Sequence, residues 1–221
     1  MTYTEFRAEN LAKAQARRKE QFRRLNPYCR KGQIVFAGSS LMEQFPVEEL
    51  AADLELPYCI YNRGNSGYVT RQMLTDLKEM VLDPEPRKLF INIGTNDLGQ
   101  GLFDELWTNY DIILNRVQKE LPDCQIYIMA YYPCNDLDDF GRSSEEHARC
   151  FQTRNPASIK EANIKLAELA KRHNCRYIDV NDGLYDESGR MKKEFCVDGI
   201  HMYPDGYAIV LRNLIPYLEE D

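Results

Sequence analysis

The chain predicts a single α/β domain built on a mostly parallel five-stranded sheet, and three observations carry that prediction. Short runs rich in β-branched and aromatic residues recur at Ile34 to Ala37, Tyr58 to Tyr61, Lys88 to Ile93, Gln125 to Ala130 and Arg176 to Val180. Segments of helical length separate them. The 221 residues, 43% hydrophobic and 29% charged, suit one core of ordinary size. Strands that alternate with helices form βαβ units, whose crossovers cover both faces of a parallel sheet.

Residues 1–30 predict a polar helix packed on the domain. Arg17, Arg18, Lys19, Arg23 and Arg24 are interrupted there by Glu9 and Glu20 and by the apolar Leu11, Phe22 and Leu25. Residues 31–221 predict the α/β domain itself. Its first strand ends in Gly38-Ser39-Ser40-Leu41, where a glycine and small residues let the chain turn sharply. Helical spacing follows at Met73, Leu74, Leu77, Val81 and Leu82, and again at Leu106, Ile113, Leu114, Val117 and Leu121. A third helix is marked by Ile159, Ala162, Ile164, Leu166, Leu169 and Ala170 after Pro156, and a fourth by Pro204 to Leu218. Between the fourth strand and the third of these helices lies an aperiodic stretch, residues 132–158. Loops of that length usually shape a site, which predicts a substrate-side insertion, the alternative being a surface excursion with a short helix.

The net charge of −7 repels polyanions and predicts no nucleic-acid partner. The N-terminal helix lacks a broad apolar face for membrane docking, and the sequence has neither the apolar run of a signal peptide nor about twenty consecutive apolar residues for a spanning helix. Seven cysteines at irregular spacing, without Cys-x-x-Cys, predict reduced thiols and a cytoplasmic location. The helix is compatible with packing on the body or on a second copy, so a homo-oligomer stays open.

In parallel sheets, ligands bind beyond the carboxyl ends of the strands, so the loops there are where chemistry is expected. Ser40 follows the first strand, Asn62-Arg63-Gly64-Asn65-Ser66-Gly67 the second, and Gly94-Thr95-Asn96-Asp97 the third; Asp198-Gly199-Ile200-His201 precedes the last helix. Acyl transfer by serine needs a base, a group that orients the base, and donors for the developing oxyanion. His201 is the candidate base and Asp198 its orienting acid. The N–H groups of Ser40 and Gly67 and the side-chain amide of Asn96 are the candidate oxyanion donors. Taken singly, Gly67 suits any turn, Asn96 and Asp97 any helix cap, and Asp198-Gly199 any tight turn. Their joint occurrence in this order carries the prediction.

With these four blocks in place, the chain resembles the SGNH hydrolases, the GDSL-type esterases and lipases, from about Ile34 to Leu218. The resemblance implies a flavodoxin-like three-layer α/β/α sandwich of strand order 2-1-3-4-5. It also implies ester hydrolysis through an acyl-serine intermediate, without metal or organic cofactor. The aspartate usual before the family's nucleophile is Ser39 here, which alters the local hydrogen bonds.

The expected substrate is a small or carbohydrate-linked acyl ester, with lysophospholipase or thioesterase activity at the same site as alternatives. Ser39, Tyr68, Tyr131 and Tyr132 are the candidate substrate contacts, with Trp107 and Phe140 also expected near the rim. A non-catalytic mononucleotide-binding protein on the same sheet is the competing class. It would leave Asp198 and His201 unexplained and set Glu43 beside a phosphate. The α/β-hydrolase elbow Gly-x-Ser-x-Gly fails at Met42. A metal site from His147, Cys150 and Asp138 or Asp139 lacks recognised spacing.

Overall fold

A computed structural model describes residues 2–220; residues 1 and 221, the outer ends of the two predicted segments, lie outside it. Its sheet has five parallel strands in the order β2-β1-β3-β4-β5: β1 Ile34–Gly38, β2 Ile60–Gly64, β3 Lys88–Asn92, β4 Gln125–Met129 and β5 Arg176–Ile178. The order reverses between β1 and β3, which opens a crevice at their carboxyl ends.

Helices cover both faces, as crossover connections require. Against one face, Val35, Ala37, Leu89 and Ile91 pack with Phe22 of α1 (Tyr3–Leu25), Met73 of α4 (Thr70–Thr75), Ile113 of α6 (Phe103–Glu120) and Leu166 of α8 (Pro156–Arg172). Against the other, Ile34, Phe36 and Phe90 pack with Met42 of α2 (Ser40–Glu43), Val47 of α3 (Val47–Asp53) and Leu211 of α9 (Pro204–Glu219). Two separate apolar clusters with the sheet between them make the three layers. Two further short helices stand on the carboxyl-end side, α5 (Thr95–Gly99) and α7 (Ser144–Phe151).

Two differences from the sequence reading have clear causes. The second strand runs on through Asn62, Arg63 and Gly64, paired with Phe36, Ala37 and Gly38. These polar residues do not end it because their side chains find tertiary partners: Asn62 Nδ2 donates to Met42 O at 2.7 Å, and Arg63 Nη2 donates to Asn26 Oδ1 at 3.1 Å. Within residues 132–158, the stretch read as aperiodic contains α7, the short helix that the alternative reading allowed. Ser143 accepts from Glu146 N and Glu146 returns a bond to Ser143 N, a reciprocal cap that starts a helix without needing a long apolar period. Among the described residues, no helix is long and apolar enough to cross a membrane.

Candidate active site

The tight turn after β1 makes Ser40 the first residue of α2, where its side chain is set by the strand end and not by a mobile loop. Its Oγ lies 2.8 Å from His201 Nε2, across 161 residues of sequence. His201 Nδ1 lies 2.8 Å from Asp198 Oδ2. The other carboxylate oxygen accepts the main-chain N–H groups of His201 at 2.8 Å and Ile200 at 3.0 Å. Burial alone would raise the Asp198 carboxyl, but the His201 ring and these two N–H donors outweigh it and hold the group well below the usual carboxylate range. An ionised carboxylate only accepts, so Nδ1 carries the proton and Nε2 is left to accept from the Ser40 hydroxyl. Serine, imidazole and carboxylate thus form one hydrogen-bonded chain able to move a proton off Ser40.

Opposite this relay lie the loops after β2 and β3. Gly67 has φ +75°, a conformation L side chains rarely adopt, and a Cβ there would meet the Gln15 and Leu11 side chains at 3.1 Å. Among the described residues, the N–H groups of Ser40 and Gly67 have no protein acceptor. Asn96 Nδ2 donates to Tyr68 O at 3.0 Å, tying the third-strand loop to the second-strand loop and leaving one amide hydrogen unspent. Arg154 Nη1 donates to Asn96 Oδ1 at 3.3 Å, which fixes the end of the amide that donates. Below them Asp97 accepts from Thr70 N at 3.0 Å and Thr70 Oγ1 at 2.5 Å, and burial raises its carboxyl above the ordinary value against those bonds.

The structure therefore brings Ser40, Gly67, Asn96, Asp198 and His201 to the same rim. It does not place the expected substrate contacts there. Tyr131 is 0% exposed, its hydroxyl donating to Ile93 O in the space that the missing side chain of Gly94 leaves. Tyr132 is 2% exposed and packs edge-on against Tyr207 in the opposite layer. Tyr68 is buried with its hydroxyl on Asp76 Oδ2 at 2.5 Å. Ser39 is buried as well, and its hydroxyl has no protein partner. Tyr131 and Tyr132 follow β4 and alternate between the sheet's two faces, which turns both rings into the core layers. Trp107 also packs against the core, under the Lys165 ammonium.

Contacts from outside the four blocks complete the rim. Arg142 Nη1 donates to Asp198 O at 2.5 Å, and Phe140 and Phe151 border Gly199, so residues 132–158 brace the turn bearing the base. Glu43 Oε2 accepts Ser66 N at 2.6 Å from one turn beyond Ser40. Single charged residues such as Arg142 and Glu43 give no periodic signal, which is why sequence patterning does not assign them these contacts. His147 Nε2 lies 2.9 Å from Asp136 O, and among the described residues no group of three or more His, Cys, Asp or Glu side chains is placed to hold a metal ion. A cavity of about 650 Å³ between α8 and the loops after β4 and β5, lined by Pro133, Lys160, Tyr177 and Tyr185, contains none of the five rim residues.

Residues 37–209 match the model of the GDSL-like lipase/acylhydrolase family, a span that includes every one of the five rim residues. The chain belongs to that family. As a GDSL-like acylhydrolase it is a carboxylic ester hydrolase, and its sheet order is the one the resemblance implied. A Streptococcus pneumoniae structure named for platelet activating factor is similar at 28% identity and a TM-score of 0.87, with 97% of each chain covered. The alpha2 subunit of rat platelet-activating factor acetylhydrolase IB is 21% identical over 187 residues, covering 82% of this chain and 73% of its own length. An acetyl-xylooligosaccharide esterase from Geobacillus stearothermophilus shares the fold at a TM-score of 0.64 and 16% identity, covering 86% of this chain and 96% of its own.

Proposed function

We propose that this GDSL-like hydrolase removes short acyl groups, acetyl first among them, from small or carbohydrate-linked esters through an acyl-Ser40 intermediate. The observation that carries the reading is the chain Ser40 Oγ, His201 Nε2, His201 Nδ1, Asp198 Oδ2, with 2.8 Å at each of its two hydrogen bonds. Ser40 attacks the ester carbonyl while His201 takes its proton. The carbonyl oxygen becomes an oxyanion received by the N–H groups of Ser40 and Gly67 and by the free amide hydrogen of Asn96. His201 then gives its proton to the departing alcohol, and water activated by the same ring releases the acid. Asp198 keeps the ring in the required tautomer and stabilises its charged form.

The preference for acetyl is supported by the relatives' names, since one is an acetylhydrolase of platelet-activating factor and another an esterase of acetyl-xylooligosaccharides. They share the acyl group and differ in the alcohol. A phospholipid alcohol is therefore the second reading, favoured by the acetylhydrolase relatives. Turnover of p-nitrophenyl acetate, butyrate and octanoate by the wild type and by Ser40→Ala, followed by acetylated xylooligosaccharides and a 2-acetyl phospholipid, tests both. Rates highest for acetate, lost in Ser40→Ala together with fluorophosphonate labelling, are expected. Labelling or turnover that persists in Ser40→Ala overturns the acyl-serine route, and a preference for octanoate overturns the short-acyl assignment.

A further inference from the structure

The glycine loop after β2 is held from outside the region that matches the family model. That region begins at residue 37, whereas α1 lies wholly before it. Gln15, near the middle of α1, is 8% exposed and directs its side-chain amide and its main-chain oxygen at this loop and the helix after it. Its Nε2 donates to Ser66 O at 2.9 Å, its main-chain oxygen accepts from Asn65 Nδ2 at 3.1 Å, and its Oε1 accepts from Gln72 Nε2 at 3.0 Å. Arg18, one turn on, donates to Gly64 O at 3.3 Å. Across the loop, Glu43 accepts the Ser66 N–H. The peptide between Ser66 and Gly67 is thus fixed at its carbonyl by Gln15, while its N–H end is Gly67 N.

A peptide unit is planar, so an acceptor direction set on Ser66 O also sets the direction of the Gly67 N–H. Gly67 has no Cβ to restrain that plane, and the bond that closes the turn, Tyr68 N to Asn65 O at 3.2 Å, does not fix its central peptide. We infer that Gln15 is a positioning residue for ester hydrolysis: by gripping Ser66 O, it aims the Gly67 N–H at the oxyanion. This rests on the assignment of Gly67 N–H as an oxyanion donor. Gln15 then acts through the Gly67 N–H, whose contribution grows as negative charge develops on the substrate oxygen.

The test compares Gln15→Met, which keeps the side chain's length and bulk without its hydrogen bonds, with Gln15→Glu, which keeps the acceptor for Gln72 and removes the donor to Ser66 O. Phe22→Leu, in the buried packing of the same helix, controls for weakened docking alone. With the full chain and p-nitrophenyl acetate, both Gln15 variants are expected to lose roughly 10- to 100-fold in kcat with KM within about threefold, as a misaimed rather than deleted donor requires. Phe22→Leu is expected to lower Tm and leave kcat unchanged. A Gln15→Glu kcat within twofold of wild type overturns the inference, as does a kcat loss in Phe22→Leu equal to that of Gln15→Met. Loss of fold in Gln15→Met leaves the decision to Gln15→Glu. Should Ser40→Ala stay active, the underlying reading fails; should Ser40→Ala be inactive and Gln15→Glu normal, only the role of Gln15 fails.

Discussion

The two halves of the rim are oriented in different ways. On the base side, the group that sets the His201 ring is three residues away, and the same four-residue turn supplies the N–H donors that keep Asp198 ionised. On the oxyanion side, the partners are remote: Gln15 reaches Ser66 across 51 residues, Glu43 across 23, and Arg154 reaches Asn96 across 58. A short turn fixes its own geometry because few torsions separate its donor from its acceptor. The turn around Gly67 is closed by one bond, Tyr68 N to Asn65 O at 3.2 Å, which leaves the direction of its central Ser66–Gly67 peptide to whatever packs on it. Orientation of the His201 ring is therefore built into local sequence, whereas the Ser40–His201 contact and the placement of the candidate oxyanion donors depend on how distant elements dock.

Breaking the relay should produce the largest effects. Ser40→Ala and His201→Ala are each expected to lower kcat on p-nitrophenyl acetate by about 10⁴-fold or more, and the double variant little further, because the pair acts as a unit. Additive losses would divide the relay into independent parts. Asp198→Asn is expected to cost up to about 10⁴-fold by admitting the wrong tautomer. A loss of less than about tenfold would show that ring orientation does not need the carboxylate, and would remove the local half of the contrast.

On the oxyanion side the effects are graded. Asn96→Ala deletes a donor and is expected to lower kcat by about 10²- to 10³-fold with little change in Tm. A wild-type kcat would remove Asn96 from the mechanism. The Gln15 variants should fall below this, since they misdirect a donor that is still present.

The smallest effect concerns stability. The Asp198 carboxyl sits below its ordinary value of 3.8 in the folded chain, so the unfolded chain binds a proton first on acidification. The stabilisation is complete at neutral pH and is lost as pH falls from about 5 through the depressed value. The Tm difference between the wild type and Asp198→Asn should thus be constant from about pH 7 to pH 5 and begin to narrow by about pH 3, and a difference that stays constant throughout would contradict the depressed carboxyl.

Strand positions were legible in the sequence to within a few residues because β-branched runs bounded by turn residues repeat five times. The extension of β2 through Asn62 and Arg63 was not, since its polar side chains are satisfied by Met42 O and Asn26. All four motif blocks could be read, and each lies at the rim. The tyrosines beside them could not be assigned: Tyr131 and Tyr132 are adjacent in sequence yet sit in opposite layers, a distinction made only by the sheet's alternation.

The sequence by itself determined the α/β architecture and named Ser40, Asp198 and His201, in order, as candidates for the relay, because periodicity and short-range turn chemistry are properties of neighbouring residues. Tertiary structure alone decided which side chains hold Ser66 O and the Asn96 amide and which aromatics are buried. Those outcomes depend on side chains tens of residues apart meeting at hydrogen-bond distance, and no local pattern encodes that distance.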